Sequence, residues 1–129
     1  DNSRNAQGDL SLRAQSLDNA GKSLVASRDV SVTTTQTLDN QGGTLSGQRQ
    51  VTVNAGTLDN QNKGRVLSAG NADLTTGQLR NAQGGLINSA GQLSARAAAL
   101  DNRQGELSSL AGLKLQVATL DNFAGLVTA

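Results

Sequence analysis

The sequence predicts an all-β chain wound into a parallel β-helix, a solenoid of about six coils, and three observations predict it. A Leu-Asp-Asn triplet returns at Leu17, Leu38, Leu58, Leu100 and Leu120, with Leu79-Arg80-Asn81 filling the one gap, so the leading leucines lie 21, 20, 21, 21 and 20 residues apart. Between triplets, short segments alternate apolar and polar residues, which is the period of a strand with one buried face. Fifteen glycines, at turn-like offsets among many Ser, Thr and Asn, would penalise a helix throughout. Ankyrin and tetratricopeptide arrays have longer, helical periods, and leucine-rich repeats carry a denser leucine motif.

Each element follows from the register of that repeat. After the triplet comes a Gly four or five positions on, at Gly21, Gly42, Gly43, Gly84, Gly105 and Gly125, then an apolar residue near the seventh, at Leu24, Leu45, Leu86, Leu107 and Leu126. The third unit carries an extra residue, which moves Gly64 and Val66-Leu67 along. A small-residue turn follows, at Ser46-Gly47, Ser68-Ala69-Gly70, Ser89-Ala90-Gly91 and Ala111-Gly112. The alternating segments come next: Leu10-Ser11-Leu12, Val30-Ser31-Val32, Val51-Thr52-Val53, Leu93-Ser94-Ala95 and Leu113-Lys114-Leu115. One array is expected over residues 1–129, with partial coils at 1–16 and 120–129.

One coil cannot bury its own inward side chains, but stacked coils place like residues over like at about 4.8 Å. The expected core is therefore two columns, Leu17, Leu38, Leu58, Leu79, Leu100 and Leu120, and Leu24, Leu45, Leu86 and Leu107. Asn19, Asn40, Asn60, Asn81, Asn102 and Asn122 are expected to turn the corner in the left-handed conformation and to ladder amide to amide. The Asp of each triplet is expected to cap the turn, with Arg80 relieving the charge of Asp59 and Asp101.

Composition narrows function further. The net charge is +1, and Arg13, Lys22, Arg28, Arg49, Lys63, Arg65, Arg80, Arg96, Arg103 and Lys114 are spread along the chain, so no nucleic-acid interface is expected. No apolar run approaches the roughly 20 residues of a membrane span. A calcium column on the triplet carboxylates is disfavoured: each coil offers one carboxylate, the ion takes six to eight oxygens, and position 80 is Arg. Without His or Cys there is no ordinary acid/base, thiol nucleophile or zinc site. The remaining acids, Asp1, Asp9, Asp29, Asp73 and Glu106, form no evident pair for glycoside hydrolysis, and no Trp or Tyr is present to hold a sugar. Gly42-Gly43 and Gly84-Gly85 lack the Gly-Lys-Ser/Thr of a phosphate loop. Phe123, the single aromatic, reads as a packing or end-capping residue, with a partner-binding anchor as the alternative. No catalytic residue, metal site or cofactor is expected.

Units such as LDNQGGTLSGQRQVTVNAGT and LDNRQGELSSLAGLKLQVAT resemble the haemagglutinin repeats of filamentous haemagglutinin-like exoproteins, the adhesins and contact-dependent growth inhibition effectors of two-partner secretion in Gram-negative bacteria. The resemblance covers essentially the whole chain and departs from the triplet only at Arg80. It implies a right-handed parallel β-helix forming part of a stalk, secreted or held at the outer-membrane surface, that projects binding or toxin regions. It also implies, for the full-length protein, an outer-membrane secretion partner and a target-cell receptor. Two alternatives remain: a side of the rod that itself binds a receptor, with Arg49, Gln50 and Thr52 among its outward residues, and a polysaccharide-active β-helix enzyme. Neither terminus offers an amphipathic cap, so end-to-end self-association or fraying is expected.

Overall fold

A computed structural model describes residues 4–129, and the chain forms an all-β solenoid of about six turns in which every strand pairing is parallel. Asp1 and the opening of the expected partial coil at 1–16 lie outside the described residues.

Two sheets run the length of the rod. The first stacks β1 (Arg4–Ala6), β4 (Ser23–Ala26), β7 (Thr44–Gly47), β9 (Arg65–Ser68), β11 (Leu86–Ser89), β13 (Glu106–Ser109) and β15 (Leu126–Thr128) in that order. The second stacks β2 (Leu10–Ala14), β5 (Asp29–Thr34), β8 (Gln50–Asp59), β10 (Asn71–Arg80), β12 (Gln92–Asp101) and β14 (Gly112–Asp121), with β3 (Leu17–Asp18) and β6 (Thr37–Asp39) continuing its edge. Within β8, Val51, Val53 and Ala55 point inward and then the phase jumps to Leu58. The same jump recurs in β10 and β12, so each long strand bends and supplies two of the three faces that close a coil. Small residues, Gly56, Gly77 and Ala98, stand at the change of phase, and a Cβ at Gly56 or Gly77 would lie 2.7 Å from the Thr35 carbonyl or 2.9 Å from the Gly56 carbonyl of the preceding coil.

Like stacks on like. Val30 pairs with Val51, Val51 with Ala72, Ala72 with Leu93 and Leu93 with Leu113, while Leu38, Leu58, Leu79 and Leu100 form a parallel column. Leu38, Leu45, Leu58 and Leu79 are all essentially inaccessible. The outer sheet face between them is polar, because alternation sends Thr52, Asp73, Ser94 and Lys114 outward.

Two expectations need correction, the inward place of Leu86 and the left-handed conformation of the triplet Asn residues. Leu86 does not belong to the inner column: Ile87 pairs with Val66 and Leu107, and Leu86 pairs with Arg65 and Glu106 on the outside. The cause is an extra residue in the fourth corner as well as the third, which shifts the strand by one and so exchanges its faces. Leu126 faces outward without any insertion, because it lies six residues after Leu120, the place Glu106 holds after Leu100, and Val127 is the residue stacked on Leu107. Leu17 and Leu120 stand in the leucine column, in register with Leu38 and Leu100, and are less covered, half-buried and 48% exposed, since each has a partner on one side only among the described residues. The triplet Asn residues are not the left-handed ones: positive φ falls two positions later, at Gly21, Gly42, Asn62, Gln83, Gln104 and Ala124. Lys63 and Gly84 add a second left-handed residue, which is how the third and fourth corners absorb their insertions. The 21-residue first unit places its extra residue elsewhere, at the break between β5 and β6.

Candidate functional site

The most heavily repeated chemistry is the corner that begins each coil. Asn19 donates through Nδ2 to Oδ1 of Asn40 at 2.7 Å, Asn40 to Asn60 at 2.7 Å, Asn60 to Asn81 at 2.8 Å, Asn81 to Asn102 at 2.9 Å and Asn102 to Asn122 at 2.7 Å. The second proton of each amide meets a main-chain carbonyl of the following coil, on Thr44, Arg65, Leu86, Glu106 and Leu126 at 2.9 to 3.1 Å. Asn19 through Asn102 are buried, and this continuous chain of amides satisfies their polar atoms where water cannot.

The ladder explains a glycine that follows it. A Cβ at Gly85 would lie 2.5 Å from Asn81 Oδ1 and from the Asn60 carbonyl; Gly43, Gly64, Gly105 and Gly125 are in the same position. Their small size lets the corner close over the amide. Sequence reading found glycines in this region without separating this contact role from the left-handed positions; the signal was the Gly that directly precedes β7, β9, β11, β13 and β15, where β4 has Lys22.

The triplet carboxylates are turned to their own backbone. Oδ1 of Asp18, Asp39, Asp59, Asp101 and Asp121 accepts the N–H two residues on, at 2.9 to 3.3 Å. Asp59 also accepts from Gln61 Nε2 at 3.0 Å. Arg80 stands in register between Asp59 and Asp101. The cation that engages the column most closely is Arg103, whose Nε and Nη2 reach the two Asp101 oxygens at 2.9 and 2.8 Å and which faces Asp121 at 3.7 Å. The Arg103 side-chain hydrogen bond holds the Asp101 carboxyl below its ordinary value, against the opposing effect of burial; the Arg103 N–H and charge add to it, and the Arg80 charge adds least. The expected relief by Arg80 is thus the minor part, because its neighbour forms the bidentate contact.

A second corner, between the sheets, changes character along the rod. Early coils use ion pairs, the exposed Arg28 with the exposed Asp9 at 3.7 Å and the exposed Arg49 with the partly buried Asp29 at 3.3 Å. Later coils turn Ser68, Ser89 and Ser109 inward, where their hydroxyls reach the carbonyls of Asn71, Gly91 and Gly112 at 2.6, 3.1 and 2.6 Å. These serines were not foreseen as inward residues; the signal was their recurrence two or three residues before a Gly.

Among the described residues, no group of three or more His, Cys, Asp or Glu side chains is gathered in a way that could hold a metal ion. Among the described residues, no helix is long and apolar enough to cross a membrane. Shallow grooves mark the surface. One, of about 560 Å³, runs past Arg80, Ala99 and Asp101. Another, of about 230 Å³, lies at the amide corner beside Phe123, which is 76% exposed.

A repeated corner of this kind on a parallel solenoid defines a structural repeat protein, in which equivalent positions of successive coils stack on one another. The haemagglutinin repeat model matches residues 1–42, 35–83 and 67–129, and the chain belongs to that family. No curated protein and no solved structure matches the chain.

Proposed function

We propose that this chain is a stalk segment: a stiff spacer within a large secreted or surface exoprotein of a Gram-negative bacterium, carrying binding or toxin regions away from the cell and performing no catalysis itself. The observation that supports it most is the use of the repeated polar residues. The triplet amides bond from coil to coil and the triplet carboxylates bond to their own turns, which leaves this corner dedicated to stacking. The twelve residues singled out by the repeat, from Leu17 and Asn19 to Leu120 and Asn122, are read as its structural elements. Residues 1–129 are read as one array, and the adhesin and growth-inhibition settings share this role.

Deleting one whole coil, residues 59–79, tests the reading. A spacer keeps its folded, β-rich circular dichroism and gives a correspondingly shorter rod, because Arg80 then follows Leu58 in the register that Asp59 held. Collapse of the fold on this in-register deletion would contradict it. As a second arm, Arg49, Gln50 and Thr52 are replaced together by Ala and cell attachment to immobilised protein is measured. Attachment lost while folding persists would favour a directly adhesive side over a spacer.

A further inference from the structure

Alternation makes the outward face of the second sheet polar, but the first sheet differs. Its strands send Val25, Leu67 and Leu86 outward, each partly exposed, and Leu86 stands in register between Arg65 and Glu106 on the two adjoining rungs. Their strands β9, β11 and β13 are paired on both edges, so the exposure of this face owes nothing to the ends of the chain. Arg65 donates through Nη2 to Thr44 Oγ1 at 3.1 Å, and Glu106 accepts from Ser108 Oγ at 3.0 Å. Two rungs of about 4.8 Å separate the two charges, with Leu86 between them. Among the described residues, neither charge belongs to an ion pair.

We infer that the outward face of the first sheet is a self-complementary docking surface for a second copy of this chain, lying alongside with its long axis reversed. A two-fold axis through Leu86, along the strand direction, sets Leu86 on its own copy and exchanges the rungs on either side, so Arg65 of each copy meets Glu106 of the other. Sheets packed face to face stand about 10 Å apart, within reach of these two side chains together. The crossed charges fix register and direction around an apolar centre. A parallel pair would lay Arg65 on Arg65 and Glu106 on Glu106, and like charges reject it. The second sheet lacks this symmetry: Asp73, Ser94 and Lys114 are spaced in the same way, but Arg96, on the same strand as Ser94, would then face its own copy. Strands of four residues over six rung spacings give a face of about 400 Å². That is roughly half of the 800 Å² or so per partner in a standard interface, so the pair is weak and reversible. The inference goes beyond the spacer role, which a single rod fills equally well.

The test is sedimentation equilibrium of the 129-residue chain, of the single reversals Arg65→Glu and Glu106→Arg, and of the two combined. Over concentrations up to about 1 mM, a monomer–dimer equilibrium with a Kd of about 0.1 mM is expected, weakened severalfold as salt rises from about 0.05 to about 0.5 M. Each single reversal should weaken it at least about tenfold, and the double reversal, which restores opposite charges across the axis, should recover it. The two residues do not touch within one chain, so recovery reads contact between copies and not repair of the fold. Direction is read by disulfide trapping, since the chain has no cysteine of its own. Asn88→Cys, on the Leu86 strand beside the axis, should link to its own copy under oxidation, whereas Ser46→Cys, two rungs away, should not; a parallel pair would link both alike. The proposal is overturned by a chain that stays monomeric at about 1 mM, by association that neither single reversal weakens, as contact through the rod ends would give, by a double reversal that fails to restore it, or by Ser46→Cys linking as readily as Asn88→Cys.

Discussion

Asn60 sits at the centre of the ladder with an amide bonded on both sides, and replacing it shows what a single residue carries. Asn60→Ala strands the Asn40 donor and the Asn81 acceptor in a site closed to water, so it should lower unfolding free energy by about 2–3 kcal/mol in urea titration. Asn19→Ala should cost less, since Asn19 donates to Asn40 but accepts from no other amide in the ladder. Thr76 gives the opposite case. Its hydroxyl is buried without a partner, and Thr76→Val keeps the shape while removing the orphan, so stability should rise by about 1 kcal/mol. Acid acts on the corner through Asp101. Its folded value is depressed, so its stabilisation is complete above the ordinary carboxylate value and disappears as pH falls through the lower folded one. The stability difference between the wild type and Arg103→Gln should therefore be constant near neutrality and shrink over that acidic window, as measured by urea midpoints at a series of pH values.

Strands and columns obey the next rule, which is that a residue is worth what its neighbouring coils make of it. Leu58 is fully buried between Leu38 and Leu79, and Leu58→Ala should cost about 2–5 kcal/mol. Leu120, chemically the same and in the same column, is half exposed, and Leu120→Ala should cost under about 1 kcal/mol. Calorimetry or denaturant titration of the pair separates position in the stack from residue type. The second-sheet strands were legible in the sequence because Val30-Ser31-Val32 and Val51-Thr52-Val53 alternate without interruption. The first-sheet strands were less so: Leu86-Ile87 offers two adjacent apolar residues, and only the length of the preceding corner decides which one turns inward. The bend that divides each long strand was also hidden, since small residues at Gly56, Gly77 and Ala98 mark a change of phase that alternation alone does not locate.

Along the whole rod, stability should be graded, because coils are coupled to their nearest neighbours and to nothing further away. Central strands β8, β10 and β12 are paired on both edges, whereas β1, β2, β14 and β15 are each paired on one. Amide hydrogen exchange should be slowest in the central three strands and fastest in the outer four; uniform protection across all of them would show instead that the ends of this chain are covered by association between copies. The sequence by itself determined the period, the all-β parallel solenoid, the leucine column and the amides that recur once per coil, because a repeat forces equivalent residues to stack. Tertiary structure decided what depends on the exact path between repeats: that the left-handed residues follow the Asn and do not include it, that Ile87 displaces Leu86 from the core, and that Arg103 rather than Arg80 answers the carboxylates. Each turns on a shift of one or two residues at a corner, and a shift of one residue in a strand exchanges inside for outside.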